Sequence, residues 1–212
     1  MDKYYPIFLK IEQRLCVVVG GGAVAERKVK GLLEAGARVK VIAPEVTEEL
    51  ANLAIQGQIE LYQRPFQPGD LEGAWLVFAA TNQRETQEAV SQEAQKKGIP
   101  CNIADDPQGS SFIVPSVVRR GRLQIALSTS GASPAVARRL REQLEDLFGP
   151  EYEEFLALMA RWRKEILNQD LPPEKRRQIF ELLALAPIPL WLKRKEHVHL
   201  RNMAKNLGLS MD

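Results

Sequence analysis

Histidine and cysteine are almost missing from this chain, two of each in 212 residues. Cys16 and Cys101 sit in or beside apolar runs, and neither belongs to a Cys-x-x-Cys pair or a Cys/His cluster. Both read as small buried hydrophobes rather than redox or metal-binding thiols. His197 and His199 lie two apart in a basic tail that reads as helical, a spacing that does not share a helix face. Solvated surface residues are the expectation for both, and no resident metal is expected. Also missing is any apolar run long enough to cross a bilayer. The opening MDKYYPIFLKIEQR lacks the basic-then-apolar order of a secretory signal. These absences leave a cytoplasmic enzyme or binding protein of one or two domains, with no membrane partner.

Acidic residues are missing from one long stretch. The formal net charge is only +2, which argues neither for nor against nucleic acid. Yet no Asp or Glu falls between Pro107 and Arg141, while Arg119, Arg120, Arg122, Arg138, Arg139 and Arg141 all do. Such a local excess reads as an anion-binding surface or as a solvated basic face paired with carboxylates from elsewhere. The patch lacks the interleaved aromatics that stack bases, so nucleic acid is not expected as a partner.

The first hundred residues alternate apolar runs with helical periodicity. LCVVV (15–19) leads into AVAERKVKGLLEAG, where Ala25, Val29, Leu32 and Leu33 recur at helical spacing and Gly36 ends the helix. RVKVIA (38–43), IELYQ (59–63), WLVFAA (75–80) and IPCNIA (99–104) read as further strands, with helices through EVTEELANLAI and QRETQEAVSQEAQKKG. Near-continuously apolar strands alternating with helices mean a parallel sheet covered on both faces. The pattern then changes. SFIVPSVVRRGRLQIALSTS reads as two strands joined at RRGR, and Ser133-Pro134 opens a helix as N-cap and first residue. Beyond Gly149-Pro150 the chain is helical. Tyr152, Phe155, Met159, Trp162 and Ile166 form a seam there, and a final basic helix runs around WLKRKEHVHLRNMAKNL. The expected fold class is α/β: a Rossmann-type parallel-sheet domain over residues 1–112, a small α+β dimerisation segment over 113–148 and a helical domain over 149–212.

Three glycines break the first strand. Gly20-Gly21-Gly22-Ala23-Val24-Ala25 fits G-x-G-x-x-A, after a buried strand and at the start of an amphipathic helix. In that context Gly20 permits the tight turn, Gly22 lets the backbone approach a pyrophosphate, and Ala25 lets helix and strand pack. Glu45 follows the second strand where an acid holds the adenosine ribose, although a first-turn helix acid is an equal reading. No arginine follows that strand end to receive a 2′-phosphate, which favours NAD over NADP. Thr81 and Asn82, at the fourth strand's end, read as cofactor contacts or as helix caps. Asp105-Asp106-Pro107 reads as an Asx-type turn, or as a carboxylate able to take a proton while the cofactor takes a hydride.

GGGAVAERK, AATN, CNIADDP and SSFIVPSVVRRGRLQIALSTSGASPAVARRLREQLE together closely resemble the precorrin-2 dehydrogenase and sirohydrochlorin ferrochelatase module of siroheme synthesis, over roughly residues 1–150. Larger siroheme synthases add a methyltransferase region; this chain ends at Asp212 and so looks like the stand-alone type. The resemblance implies NAD-dependent oxidation of precorrin-2 to sirohydrochlorin by a homodimer, with the segment after the nucleotide domain packed or exchanged between subunits. It places the catalytic residue at Asp105 and cofactor contacts on the glycine turn, notably Ala23 and Val24, and on Pro44 and Glu45. Precorrin-2 carries many carboxylates, which favours the anion-surface reading of the arginine stretch. Asn102, Ser128, Arg119, Arg120 and Arg138 are the expected substrate residues. Insertion of ferrous ion or cobalt into the product stays open, since some relatives perform both steps and others only the oxidation. The alternative is an NAD-sensing regulatory module without chemistry. A short-chain dehydrogenase is disfavoured because none of Tyr4, Tyr5, Tyr62 and Tyr152 has Lys four positions later.

Overall fold

The computed structural model describes residues 4–211. The chain divides into two compact units, one ending at Val114 and the other beginning at Pro115. The hairpin segment and the helical tail, which the sequence reading separates at 148/149, lie within one unit.

The first unit runs β1 (Leu15–Val19), α1 (Ala23–Glu34), β2 (Arg38–Ile42), α2 (Glu48–Ile55), β3 (Ile59–Tyr62), β4 (Leu76–Ala79), α3 (Arg84–Lys97) and β5 (Cys101–Ile103). Its five strands form a parallel sheet in the order β3-β2-β1-β4-β5. Strand periodicity splits β1 between two cores. Cys16 and Val18 face Ala25, Val29 and Leu50 on one side, while Val17 and Val19 face Val90, Ala94 and Leu71 on the other. Each such fully buried aliphatic contributes ~1.5–3 kcal/mol by leaving water. Burial pushes the thiols of Cys16 and Cys101 up to about 11, as their reading as hydrophobes requires. Gly36 and Gly98 take left-handed conformations where α1 and α3 close.

One ion pair ties the β3 exit down. The two Arg64 guanidinium nitrogens each lie 2.7 Å from an Asp70 carboxylate oxygen, and the guanidinium sits 5.4 Å from the Tyr62 ring centre. Hydrogen bonding from Arg64 holds the Asp70 carboxyl below the usual carboxylate range. Because folding lowers this pKa, the pair stabilises above that range, and its contribution is lost as pH falls through the folded value. Asp70→Asn should lower stability at neutral pH and flatten the acid limb below about pH 4. Urea titrations at stepped pH check this; an unchanged acid limb would contradict it.

The second unit begins with an antiparallel hairpin, β6 (Ser116–Arg120) and β7 (Leu123–Leu127). It continues through α4 (Pro134–Leu147), α5 (Glu151–Asn168), α6 (Pro173–Leu185), α7 (Ile188–Lys193) and α8 (His197–Asn206). Ser133 caps α4 by accepting from the Val136 amide, with Pro134 first in the helix. The core centres on Trp162, fully buried among Leu158, Ile166, Leu183, Ile188 and Leu200, with its indole N–H donating to the Ser210 carbonyl at 2.7 Å. The expected single basic helix at the end is two. Lys195 takes φ +58, and the Glu196 and Lys195 amides bond back to the Trp191 and Leu192 carbonyls, closing α7 as a Schellman turn. His199 is exposed, yet it stacks on Trp191 at 5.4 Å rather than standing free in solvent.

Candidate dinucleotide-binding site

Sheet register builds the site. Val19 pairs with Ile42 and Ala79, and Ala79 with Ile103, so Gly20, Ala43, Ala80 and Ala104 all emerge at one edge. Strand order reverses between β1 and β4, the place where open α/β sheets leave a crevice. A cleft of about 780 Å³ lies there. Gly20, Gly22, Ala23 and Val24 line it from the turn, Pro44 and Glu45 from beyond β2, and Thr81 and Asn82 from beyond β4. Asp105 lines it from beyond β5.

The three glycines do different jobs. A Cβ on Gly20 would lie 2.2 Å from the Ala80 carbonyl oxygen, and φ there is +131°. A Cβ on Gly21 would lie 2.0 Å from the Glu45 carbonyl oxygen. A Cβ on Gly22 would meet nothing within 4 Å. The first two are therefore needed by the fold itself, and the third faces open space. Gly22 is also the N-cap of α1 and supplies no side-chain acceptor to the helix's first amides. Free amides, the positive helix end and room beside a bare backbone fit a dinucleotide pyrophosphate.

The wall between turn and β2 is tied together. Thr47 caps α2 by accepting from the Leu50 amide, and its own amide donates to the Gly21 carbonyl at 2.9 Å. Its hydroxyl donates to Glu26 at 2.9 Å, and Lys30 bridges Glu26 and Glu49. Lys30 and then Thr47 hold the Glu26 carboxyl below the usual range. Since Thr47 is the cap, Glu45 lies before the helix, on the cleft, and is not a first-turn acid. Gln83, not Thr81 or Asn82, is the cap residue of α3, which leaves both lining the cleft. Arg64 is committed to Asp70.

Both adjacent acids line the cleft, but they differ in their contacts. Asp106 makes the turn: its carboxylate accepts from the Gly109 amide at 2.9 Å and its carbonyl from the Ser110 hydroxyl at 2.7 Å. Asp105 is exposed, has no hydrogen-bond partner among the described residues, and sits at φ +61°. A left-handed non-glycine residue at a cleft is the kind of local strain that marks functional positions.

The expected substrate residues are placed less simply. Asn102 is on β5 and donates to the Phe112 carbonyl at 3.0 Å, outside the cleft lining. Arg119, Arg120, Ser128 and Arg138 belong to the second unit. Ser128 is exposed and accepts from the Ser130 amide. Arg120 donates to the carbonyls of Arg119 and Glu145. Arg138 pairs with Glu142 at 3.1 Å, and Arg141 pairs with Glu145. So the acid-free stretch is partly balanced by acids just beyond it. Sequence reasoning missed Gly21 and Gln87, which also lines the cleft. The surplus third glycine was a signal for the first; nothing in the chain flags the second.

Fold, glycine turn and strand-end cleft define a dinucleotide-binding Rossmann protein. The chain belongs to the putative NAD(P)-binding family, whose model matches residues 7–116, and residues 120–147 match the sirohaem biosynthesis protein central family. It is 40% identical over 185 residues to a siroheme synthase of Nitrosomonas europaea, covering 87% of this chain and 39% of that protein. It is 42% identical over 183 residues to siroheme synthase 1 of Aeromonas salmonicida, covering 86% of this chain and 39% of that protein. The chain thus spans about two fifths of the length of these curated relatives. A solved structure of SirC, precorrin-2 dehydrogenase, superposes with a TM-score of 0.79 at 26% identity, covering 95% of this chain and all of that one.

Proposed function

We propose that this chain oxidises precorrin-2 to sirohydrochlorin with NAD as the oxidant, in siroheme biosynthesis in the cytoplasm. The observation that carries the reading is Asp105, an exposed carboxylate in a left-handed conformation, without a hydrogen-bond partner among the described residues, on the same cleft as the glycine turn. The likeness to SirC and to siroheme synthases supports the choice of substrate. NAD, when bound, would supply the hydride acceptor for the oxidation. Gly22 and the first amides of α1 hold its pyrophosphate, Pro44 and Glu45 its adenosine ribose, and Thr81 and Asn82 its nicotinamide half. Asp105 takes the accompanying proton onto its carboxylate.

Within the second unit, Ser128, Arg119, Arg120 and Arg138 offer donors suited to substrate carboxylates, while the Asn102 amide is taken by the Phe112 carbonyl. An exposed pair such as Arg138–Glu142 is worth only ~0–1 kcal/mol, so a substrate carboxylate can take Glu142's place. The test is a coupled assay on the purified chain: NADH formation from precorrin-2, then ferrous ion or cobalt added to the product. Absence of NADH would remove the proposed activity, and the second stage decides metal insertion.

The working form is a homodimer. Helix α4 buries none of its residues, and Val136, Leu140 and Leu147 are 49%, 40% and 66% exposed along it. An amphipathic helix left so open fits burial against a second copy. Leu140→Glu should shift sedimentation toward the monomer while the intrinsic tryptophan fluorescence and melting temperature stay near the parent's; unchanged association would count against this interface.

A further inference from the structure

We propose that Gln87 is a positioning residue that clamps the two strand-end loops of the cleft together and thereby sets the place of Asp105. This rests on the dehydrogenase reading above and extends it to a residue that contacts neither hydride nor proton. Gln87 lies one turn into α3, half-buried on the cleft floor. Its amide nitrogen donates to the Thr81 carbonyl at 2.6 Å and reaches the Ala104 carbonyl at 3.5 Å, the long edge of a hydrogen bond. Two carbonyl oxygens around one amide end require that end to be the NH2, since an amide oxygen there would meet only acceptors.

The chain on either side of Asp105 shows what the clamp does. Ala104 is held by its amide, which donates to the Ala79 carbonyl at 2.9 Å, and by its carbonyl through Gln87. On the far side, Asp106 is held by the Gly109 amide and the Ser110 hydroxyl. Asp105 lies between two fixed residues, and at φ +61° it takes a left-handed conformation that aspartate tolerates better than most residues and that its fixed neighbours keep in place. The same side chain fixes Thr81, beside Asn82, on the cofactor wall. One glutamine therefore couples the β4 exit to the β5 exit.

The test uses the full chain with Gln87→Met, which keeps the length but donates nothing, and Gln87→Glu, which keeps the shape and turns a carboxylate on the two carbonyls. Both should speed amide exchange across residues 104–110 in NAD-free protein while the melting temperature stays within about 3 °C of the parent. The kcat for NADH formation from precorrin-2 should fall about ten- to a hundredfold, and the Kd for NAD should move by less than about threefold. Parental kcat in both variants overturns the proposal. If the parent chain makes no NADH from precorrin-2, the dehydrogenase reading falls and exchange decides the clamp: faster local exchange upholds it, and unchanged exchange overturns it.

Discussion

Asp105→Ala is expected to bind NAD as the parent does and to form NADH from precorrin-2 at least about a hundredfold more slowly, the usual scale of a lost general base. The carboxylate lines the cleft but makes no hydrogen bond among the described residues, so its removal leaves no buried partner unsatisfied there and should spare the fold. Alanine at φ +61° does carry a backbone cost of ~1–2 kcal/mol, which aspartate and asparagine bear more easily. Asp105→Asn separates the two effects: it keeps the local conformation and cannot accept the proton. Both variants should fail alike in stopped-flow NADH formation, with NAD affinity read by fluorescence titration. Turnover at the parental rate in the asparagine variant would end the assignment.

The second large effect divides the glycine turn. Gly21→Ala drives a methyl into the Glu45 carbonyl, and Gly20→Ala adds a forbidden φ to a clash with Ala80. Each should destabilise the first unit by ~3 kcal/mol, a loss of several degrees in melting temperature. Gly22→Ala has room for its methyl and should melt near the parent. Yet it should lose at least about tenfold in NAD affinity, because the methyl stands where the pyrophosphate approaches the backbone. Melting curves beside NAD titrations for the three variants check the contrast, and full NAD affinity in Gly22→Ala would contradict it.

Most of the parallel sheet was legible because β1 and β4 are apolar throughout and the polar residues of β2, β3 and β5 alternate with apolar ones, and the hairpin because RRGR interrupts two β-rich runs. The seam through Trp162 and Ile166 likewise told its own period. The break between α7 and α8 was not legible, since a lysine at position 195 occupies the left-handed place where glycine would have announced a stop. In the site, the strand-end rule put Glu45, Thr81 and Asn82 at the cleft, but only the caps at Thr47 and Gln83 show that none of the three is a helix N-cap, and the Thr81 hydroxyl still accepts from the Gln83 amide at 3.2 Å. Spacing left the Asp105-Asp106 pair two roles, and the family resemblance put the catalytic one at Asp105. That Asp106 is the turn residue depends on the Gly109 amide and the Ser110 hydroxyl, contacts that no spacing rule supplies. Gln87 acts through two carbonyls from different loops, and such partners exist only after the sheet has formed.

Thr47 carries a thermodynamic consequence beyond its capping of α2. Through the Gly21 carbonyl, the Glu26 carboxylate and the Leu50 amide it joins the glycine turn, α1 and the β2 exit into one wall. A wall tied in this way leaves less loop ordering to set against the contacts that a dinucleotide makes there.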